Sequence, residues 1–198
     1  LQIRDGVCPQ VDSNKPAAVF PDVLADVDVA FPVLHGPFGE DGTIQGFLEM
    51  ADVPYVGSGV FASAACMDKA HMKAMLSSAG LAIGAFEVIN DQQWVHNKAE
   101  SLARVATLGF PVFVKPSRAG SSVGISKVKS ADQLEAAIVA AREHDPKVII
   151  EASIENAHEI ECGVLGSADG PEASVIAEIV VREGHEFYDY EAKYVDDS

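Results

Sequence analysis

Phe110-Pro111-Val112-Phe113-Val114-Lys115-Pro116-Ser117-Arg118-Ala119-Gly120-Ser121-Ser122-Val123-Gly124 is the stretch that decides the fold of this chain. Residues 110–114 read as a short apolar strand that ends on Lys115, and a run of small residues follows. A lysine held by a buried strand sets one point charge against an anion, and a small-residue loop adds several backbone N–H groups. Polyphosphate is the guest that suits this pairing. Gly120 and Gly124 bracket two serines, so the loop can approach phosphate oxygens and close as a lid. The plain alternative is a surface hairpin whose lysine is merely solvated. The stretch is not a Walker A loop, because its lysine precedes the glycines and the chain holds no Gly-x-x-x-x-Gly-Lys-Ser/Thr. Another nucleotide fold is needed.

Downstream of that loop, residues 124–128 read as the returning strand of a hairpin. Ser130-Ala131-Asp132-Gln133 fits a capping box, and Leu134, Ile138 and Ala141 continue a helix that His144 and Pro146 end. Residues 147–150 form a strand. Two more strands, 160–165 and 173–181, are parted by a Ser-Ala-Asp-Gly turn. Upstream, residues 99–108 make a helix closed by Gly109, and residues 86–89 a strand. A helix beginning near Ala62 carries Met72, Met75, Leu76 and Ala79 on one face and stops at Gly80, while Lys69 and Lys73 share another face. Further back, residues 25–34 alternate and then turn continuously apolar, as in a strand entering a covered sheet. His35 opens the loop 36–42, a helix follows over 43–51 with Ile44, Phe47, Leu48 and Ala51 at helical spacing, and residues 53–56 form a short strand. Strand, loop, helix and strand in this order belong to an alternating α/β layer. No internal repeat or low-complexity tract occurs.

With 198 residues and 48% hydrophobic side chains, the chain can bury a substantial core. Its formal charge of -16 argues against a nucleic-acid or anionic-membrane surface, so any cationic site must be local. Cys8, Cys66 and Cys162 are far apart and form no Cys-x-x-Cys, which suggests neither a disulfide framework nor zinc and points to a reducing cytoplasm. No signal peptide is evident, and acidic residues interrupt every apolar run before it could span a bilayer. The chain starts at Leu1 rather than Met and stops at Asp196-Asp197-Ser198, so a fragment is expected.

Beyond Lys115, five places could carry chemistry. Lys69, in Met67-Asp68-Lys69, is either an ordinary solvated helix residue or a second phosphate contact. Glu151 and Glu159 flank a polar connection, 152–158. They are either plain exposed glutamates or part of a nucleoside site in which backbone groups around 150–154 meet adenine and a carboxylate accepts the ribose hydroxyls. His35 follows a buried strand at its C-terminal end, where open α/β sheets place ligands, though a lone histidine is also a common structural residue. His71, His96, His144 and His158 show no metal spacing. The segment Tyr188-Asp189-Tyr190-Glu191-Ala192-Lys193-Tyr194 is either a frayed end or a loop ordered by ligand.

Taken together, the chain resembles the D-alanine–D-alanine ligases of the ATP-grasp superfamily almost end to end. The strand and lysine at 109–116 have a general ATP-grasp form. The ordered set is far more specific: Leu34-His35-Gly36 to Gly42, Tyr55-Val56-Gly57-Ser58-Gly59, Met67-Asp68-Lys69, Gly120-Ser121-Ser122-Val123-Gly124 and Glu191-Ala192-Lys193-Tyr194. The resemblance implies an α/β ATP-grasp fold with a partial N-terminal doubly wound α/β domain. Residues 1–62 would be the remnant of that domain, 63–150 the small ATP-grasp lobe, and 151–198 the start of the large lobe.

The implied reaction is ATP-dependent ligation of two D-alanine molecules through an acyl phosphate, serving peptidoglycan precursor synthesis, with Mg2+ (or Mn2+). Lys69 and Lys115 would hold the ATP phosphates under a loop carrying Ser121 and Ser122. Glu151 and the backbone near Ile154 would face adenine, and Glu159 the ribose. His35 and Ser122 would position the first D-alanine, Lys193 would approach the transferred phosphate, and Tyr194 would lie on a covering loop, its presence favouring an amine as second substrate. A homodimer is also implied. The family's N-terminal glycine-rich start has no counterpart here, and its metal ligands lie beyond Ser198, so negligible ligation by these residues alone is expected. The competing readings are another ATP-grasp carboxylate–amine ligase and a catalytically silent nucleotide-binding module.

Overall fold

The computed structural model describes Leu24, residues 26–167 and residues 169–179. The chain divides into two compact units, Leu1–Met72 and Lys73–Ser198.

In the first unit, Ala30 and Tyr55 form an isolated parallel bridge, in which the Ala30 N–H donates to Pro54 O at 2.8 Å and the Val56 N–H donates to Ala30 O at 2.9 Å. The covered strand expected over 25–34 is thus reduced to one bridge, and Val29, Phe31, Val33 and Leu34 are exposed. An apolar run becomes a covered strand only where neighbours pack on both faces, and among the described residues Ala30 pairs on one side only. Helix α1 (Thr43–Met50) lies between the bridged residues in sequence, as expected, and buries Gln45 and Leu48. It is followed by α2 (Val60–Met67) and by α3 (Lys69–Ser78), of which only residues 69–72 belong to the first unit. A single helix starting near Ala62 is therefore corrected to two. Asp68 is extended, with ψ of 100°, and its Oδ1 accepts from the N–H groups of Ala70 and His71 at 3.1 and 3.3 Å. That carboxylate caps a new helix start and breaks the old one.

In the second unit, β1 (Phe86–Ile89), α4 (Asp91–His96), α5 (Lys98–Ala106), β2 (Val112–Pro116), β3 (Ser126–Val128), α6 (Ala131–Arg142) and β4 (Val148–Ala152) build one antiparallel sheet with its helices. The strand order is β1-β4-β2-β3. Alternate side chains point to one face, where Ile89, Val112, Val114, Val128, Val148 and Ile150 pack with Val105 of α5 and with Leu134, Ile138 and Ala141 of α6. Each fully buried aliphatic contributes about 1.5–3 kcal/mol, which fixes the position of β2 and hence of the lysine at its end. The hairpin expected after the small-residue loop is present as β2–β3.

Three local readings need correction here. α4 was not expected, and it forms because Asn90 and Gln93 make a reciprocal capping box. The box expected at Ser130 does not close. The Ser130 side chain makes no cap bond, and Gln133 Oε1 accepts from the Lys129 N–H at 3.1 Å. Finally, the two long strands expected after residue 160 are four short ones. β5 (Glu159–Glu161) pairs with β8 (Ala177–Ile179), and β6 (Val164–Ser167) pairs with β7 (Gly170–Ala173) across the expected turn. Among the described residues no helix is long and apolar enough to cross a membrane.

Candidate functional site

The face of the sheet opposite α5 and α6 is chemically different. Cross-strand register puts Phe86 opposite Glu151, Glu151 opposite Phe113, and Phe113 opposite Lys127. Two residues along β2 from Phe113, Lys115 shares this face because strand side chains repeat every second position. Lys115 Nζ lies 2.5 Å from Glu151 Oε2, and Lys73 Nζ, reaching in from α3, lies 2.7 Å from Glu151 Oε1. The ammonium groups also meet aromatic rings, with Lys73 5.6 Å from the Phe86 centroid and Lys115 and Lys127 5.5 and 5.7 Å from that of Phe113. Two cations share one anion, so the Lys73–Glu151–Lys115 cluster keeps a net positive charge. Burial pushes the Glu151 carboxyl pKa up, but Coulombic attraction and hydrogen bonding from Lys115, followed by those from Lys73, outweigh it and hold the group below the ordinary glutamate value.

The loop after β2 is fastened at its first stem and closely packed at its second. At the first, Ser117 is fully buried and its N–H donates to Lys147 O at 2.9 Å. Asp145, only 2% exposed, accepts from the Arg118 backbone N–H at 2.8 Å, from Arg118 Nε at 3.0 Å and Nη2 at 2.7 Å, and from the Lys147 N–H at 3.0 Å. Burial raises the Asp145 pKa, and these bonds, led by the Arg118 side chain, more than reverse it. At the second stem, a Cβ on Gly124 would stand 2.5 Å from His144 Cδ2 and 2.9 Å from Pro116 Cγ, and its φ is +68°. Only glycine fits there without strain. Between the stems, Ser121 and Ser122 both take left-handed backbone, at φ of 51° and 58°.

Of the residues expected at the site, Lys115, Ser121, Ser122 and Glu151 therefore fall on β2, its loop and the neighbouring strand. Glu151, expected at the edge of a polar connection, sits within the sheet. It is a paired residue of β4, in register with both β1 and β2, because the strand runs on to Ala152. Ile154 is exposed just beyond β4, and Glu159 opens β5, half-buried. Lys69 begins α3 in the capped turn set by Asp68, and it belongs to the first unit while Lys115 belongs to the second. His35 is exposed at the start of loop 36–42, also in the first unit. Lys193 and Tyr194 lie outside the described residues, as does the whole of 188–194. Lys73 and Lys127 were not expected at the site. The i, i+4 spacing of Lys73 from Lys69 was the available signal for the first, and its alternation with the buried Val128 for the second.

The sequence matches two known families. The model described as D-ala D-ala ligase N-terminus matches residues 8–58, and the one described as D-ala D-ala ligase C-terminus matches residues 75–198. The chain belongs to the D-alanine–D-alanine ligase family. It is 57% identical over 179 residues to the D-alanine--D-alanine ligase of Frankia casuarinae, covering 89% of this chain and 45% of that relative. With the ligase of Streptomyces griseus it shares 51% over 191 residues, covering 94% of this chain and 48% of the relative. Among solved structures, the VanG D-Ala:D-Ser Ligase from Enterococcus faecalis matches with a TM-score of 0.74 and 42% identity over 87% of this chain and 48% of that one. The D-alanine-D-alanine ligase from Coxiella burnetii matches with a TM-score of 0.69 and 34% identity over 77% of this chain and 44% of that one. Family membership and these neighbours establish the α/β ATP-grasp fold. The chain spans about half the length of the relatives it matches. Among the described residues no three His, Cys, Asp or Glu side chains gather in a way that could hold a metal ion.

Proposed function

We propose that this chain supplies the nucleotide-binding part of an ATP-dependent ligase that joins two D-alanine molecules for peptidoglycan precursor synthesis. The observation that carries this reading is the Lys73–Glu151–Lys115 cluster, positive overall, at the foot of a glycine–serine loop pinned at its first stem by Asp145. Polyphosphate needs such a local excess of positive charge in a chain of formal charge -16.

In this reading Lys115 and Lys69 hold the ATP phosphates and the loop bearing Ser121 and Ser122 closes over them. A carboxylate oxygen of the first D-alanine attacks the γ-phosphorus, and ADP leaves. The amine of the second then attacks the acyl carbon, inorganic phosphate leaves, and the amine gives up a proton. Fixed ammonium groups offset charge on the transferring phosphoryl group, and loop closure excludes water that would hydrolyse the acyl phosphate. Glu151 and the backbone near Ile154 face adenine, Glu159 faces ribose, and His35 and Ser122 position the first D-alanine. Lys193 and Tyr194 serve the transferred phosphate and the covering loop. Mg2+ (or Mn2+) belongs to the same reading and would supply positive charge against the phosphates, but the described residues offer it no ligand set. Residues 1–62, 63–150 and 151–198 are the N-terminal domain portion, the small lobe and the start of the large lobe. A cytoplasmic homodimer completes the proposal.

Sequence kinship favours D-alanine as acceptor, since the relatives at 57% and 51% identity are named D-alanine--D-alanine ligases. The D-Ala:D-Ser neighbour supports a second reading in which D-serine is the acceptor. Calorimetry with a non-hydrolysable ATP analogue tests the nucleotide site. Binding by the wild type is expected, with Lys115→Ala losing on the order of 1.5–3 kcal/mol. No binding, or none lost in the variant, contradicts the proposal.

A further inference from the structure

Lys73 has no part in the reaction scheme above, yet it holds one oxygen of the carboxylate whose other oxygen holds Lys115. The side chains of Lys73, Glu151 and Lys115 are 16%, 14% and 25% exposed, so water screens them only partly. A carboxylate facing a single lysine would hold that lysine as a closed, neutral pair and compete with any incoming phosphate. Shared between two ammonium groups, it orders both and neutralises neither fully. The rings of Phe86 and Phe113 flank Glu151 across the strands and sit beneath Lys73 and Lys115, which limits where each ammonium can go.

We infer that Lys73 is a positioning residue of the nucleotide site, acting through Glu151 to keep the Lys115 ammonium aimed and available for polyphosphate. The inference rests on the nucleotide reading of this face. Glu151 retains lone pairs beyond those the ammonium groups use, so acting as shared counter-ion and facing adenine are compatible. The lowered Glu151 pKa has the same origin, since Lys73 is among its causes.

The test uses the 198-residue chain with Lys73→Met, which keeps most of the apolar stem, and Lys73→Arg, which keeps the charge. The probes are a non-hydrolysable ATP analogue, inorganic tripolyphosphate and adenosine. Lys73→Met is expected to weaken the analogue and tripolyphosphate about tenfold while adenosine changes by less than about twofold, and Lys73→Arg to restore most of the loss. A carbon-13 NMR titration of Glu151, independent of any ligand, is expected to show its pKa rising towards the ordinary value in Lys73→Met. Unchanged triphosphate affinity in Lys73→Met overturns the inference, as does an unmoved Glu151 titration or an equal loss for adenosine. Failure of the wild type to bind the analogue overturns the nucleotide reading itself, and the inference with it. If Lys73→Met does not fold, Lys73→Gln is read by the same criteria.

Discussion

Loop 36–42 is tied together by its own carboxylates, whereas loop 117–124 is tied by a carboxylate 27 residues away. In the first, Glu40 Oε2 accepts from the Gly36 N–H at 2.5 Å, and Asp41 accepts from Phe38 and Thr43 at 2.9 and 3.0 Å. Those donors are spent internally and two negative charges stay in the loop. In the second, Asp145 grips the stem through Arg118, and the adjoining strand face carries Lys115 and Lys127 and is met by Lys73 from α3. Similar glycine-rich composition thus gives one loop that carries two negative charges and one that adjoins a positively charged strand face. The source of the fastening group decides which of them suits an anion.

Breaking each loop at a close-packed glycine of positive φ should have the largest effects. A Cβ on Gly42 would meet the Val60 carbonyl oxygen at 2.6 Å, with φ at +88°. Backbone cannot swing aside, so Gly42→Ala is expected to destabilise the first unit by about 3 kcal/mol, measured by denaturant unfolding. For Gly124→Ala the nearest atoms are side-chain atoms of His144 and Pro116, which yield more easily. We expect about 2 kcal/mol, together with weaker binding of an ATP analogue as the loop stem shifts.

Removing the fastening charge is a finer probe. Asp145→Asn keeps an acceptor but loses the ionic bonds to Arg118, for an expected cost of about 1–2 kcal/mol at neutral pH. The sign of its pH dependence follows from a native pKa below the ordinary aspartate value of 3.8. The unfolded state binds the proton first on acidification, so the stabilisation is full above that value and is lost as the pH falls through the lower native one. Acid unfolding of the variant should accordingly lack this part of the slope. Asp41 is also lowered, because the Phe38 and Thr43 bonds outweigh a burial effect that raises it. It caps a more open loop, so Asp41→Asn should cost only about 0.5 kcal/mol in the same titration.

Much of this contrast was readable in the residues. Strand β2, its loop, the returning strand and α1 follow from alternation, helical spacing and glycine placement, all local signals. What stayed hidden depends on distant partners. Glu151 read as a connector residue because nothing near it in sequence shows that β4 continues between β1 and β2, or that two lysines from other elements would close on it. Asp145 looked like part of a helix-ending turn, although it organises the loop that begins at Ser117. The break at Asp68 and the helix after Asn90 rest on single capping side chains, which a search for apolar periodicity passes over. Residues 25–34 failed in the opposite sense, since an apolar pattern predicts burial only where a neighbour packs on it, and among the described residues Ala30 pairs on one side only.

Backbone amide NMR of the chain, titrated with a non-hydrolysable ATP analogue, shows which of the two loops meets the nucleotide. Shifts are expected to concentrate at Lys69, Lys73, Lys115, Ser121 to Gly124 and residues 151–154, with loop 36–42 little changed. Shifts confined to 36–42, or none at the lysine face of β2 and β4, would contradict the account.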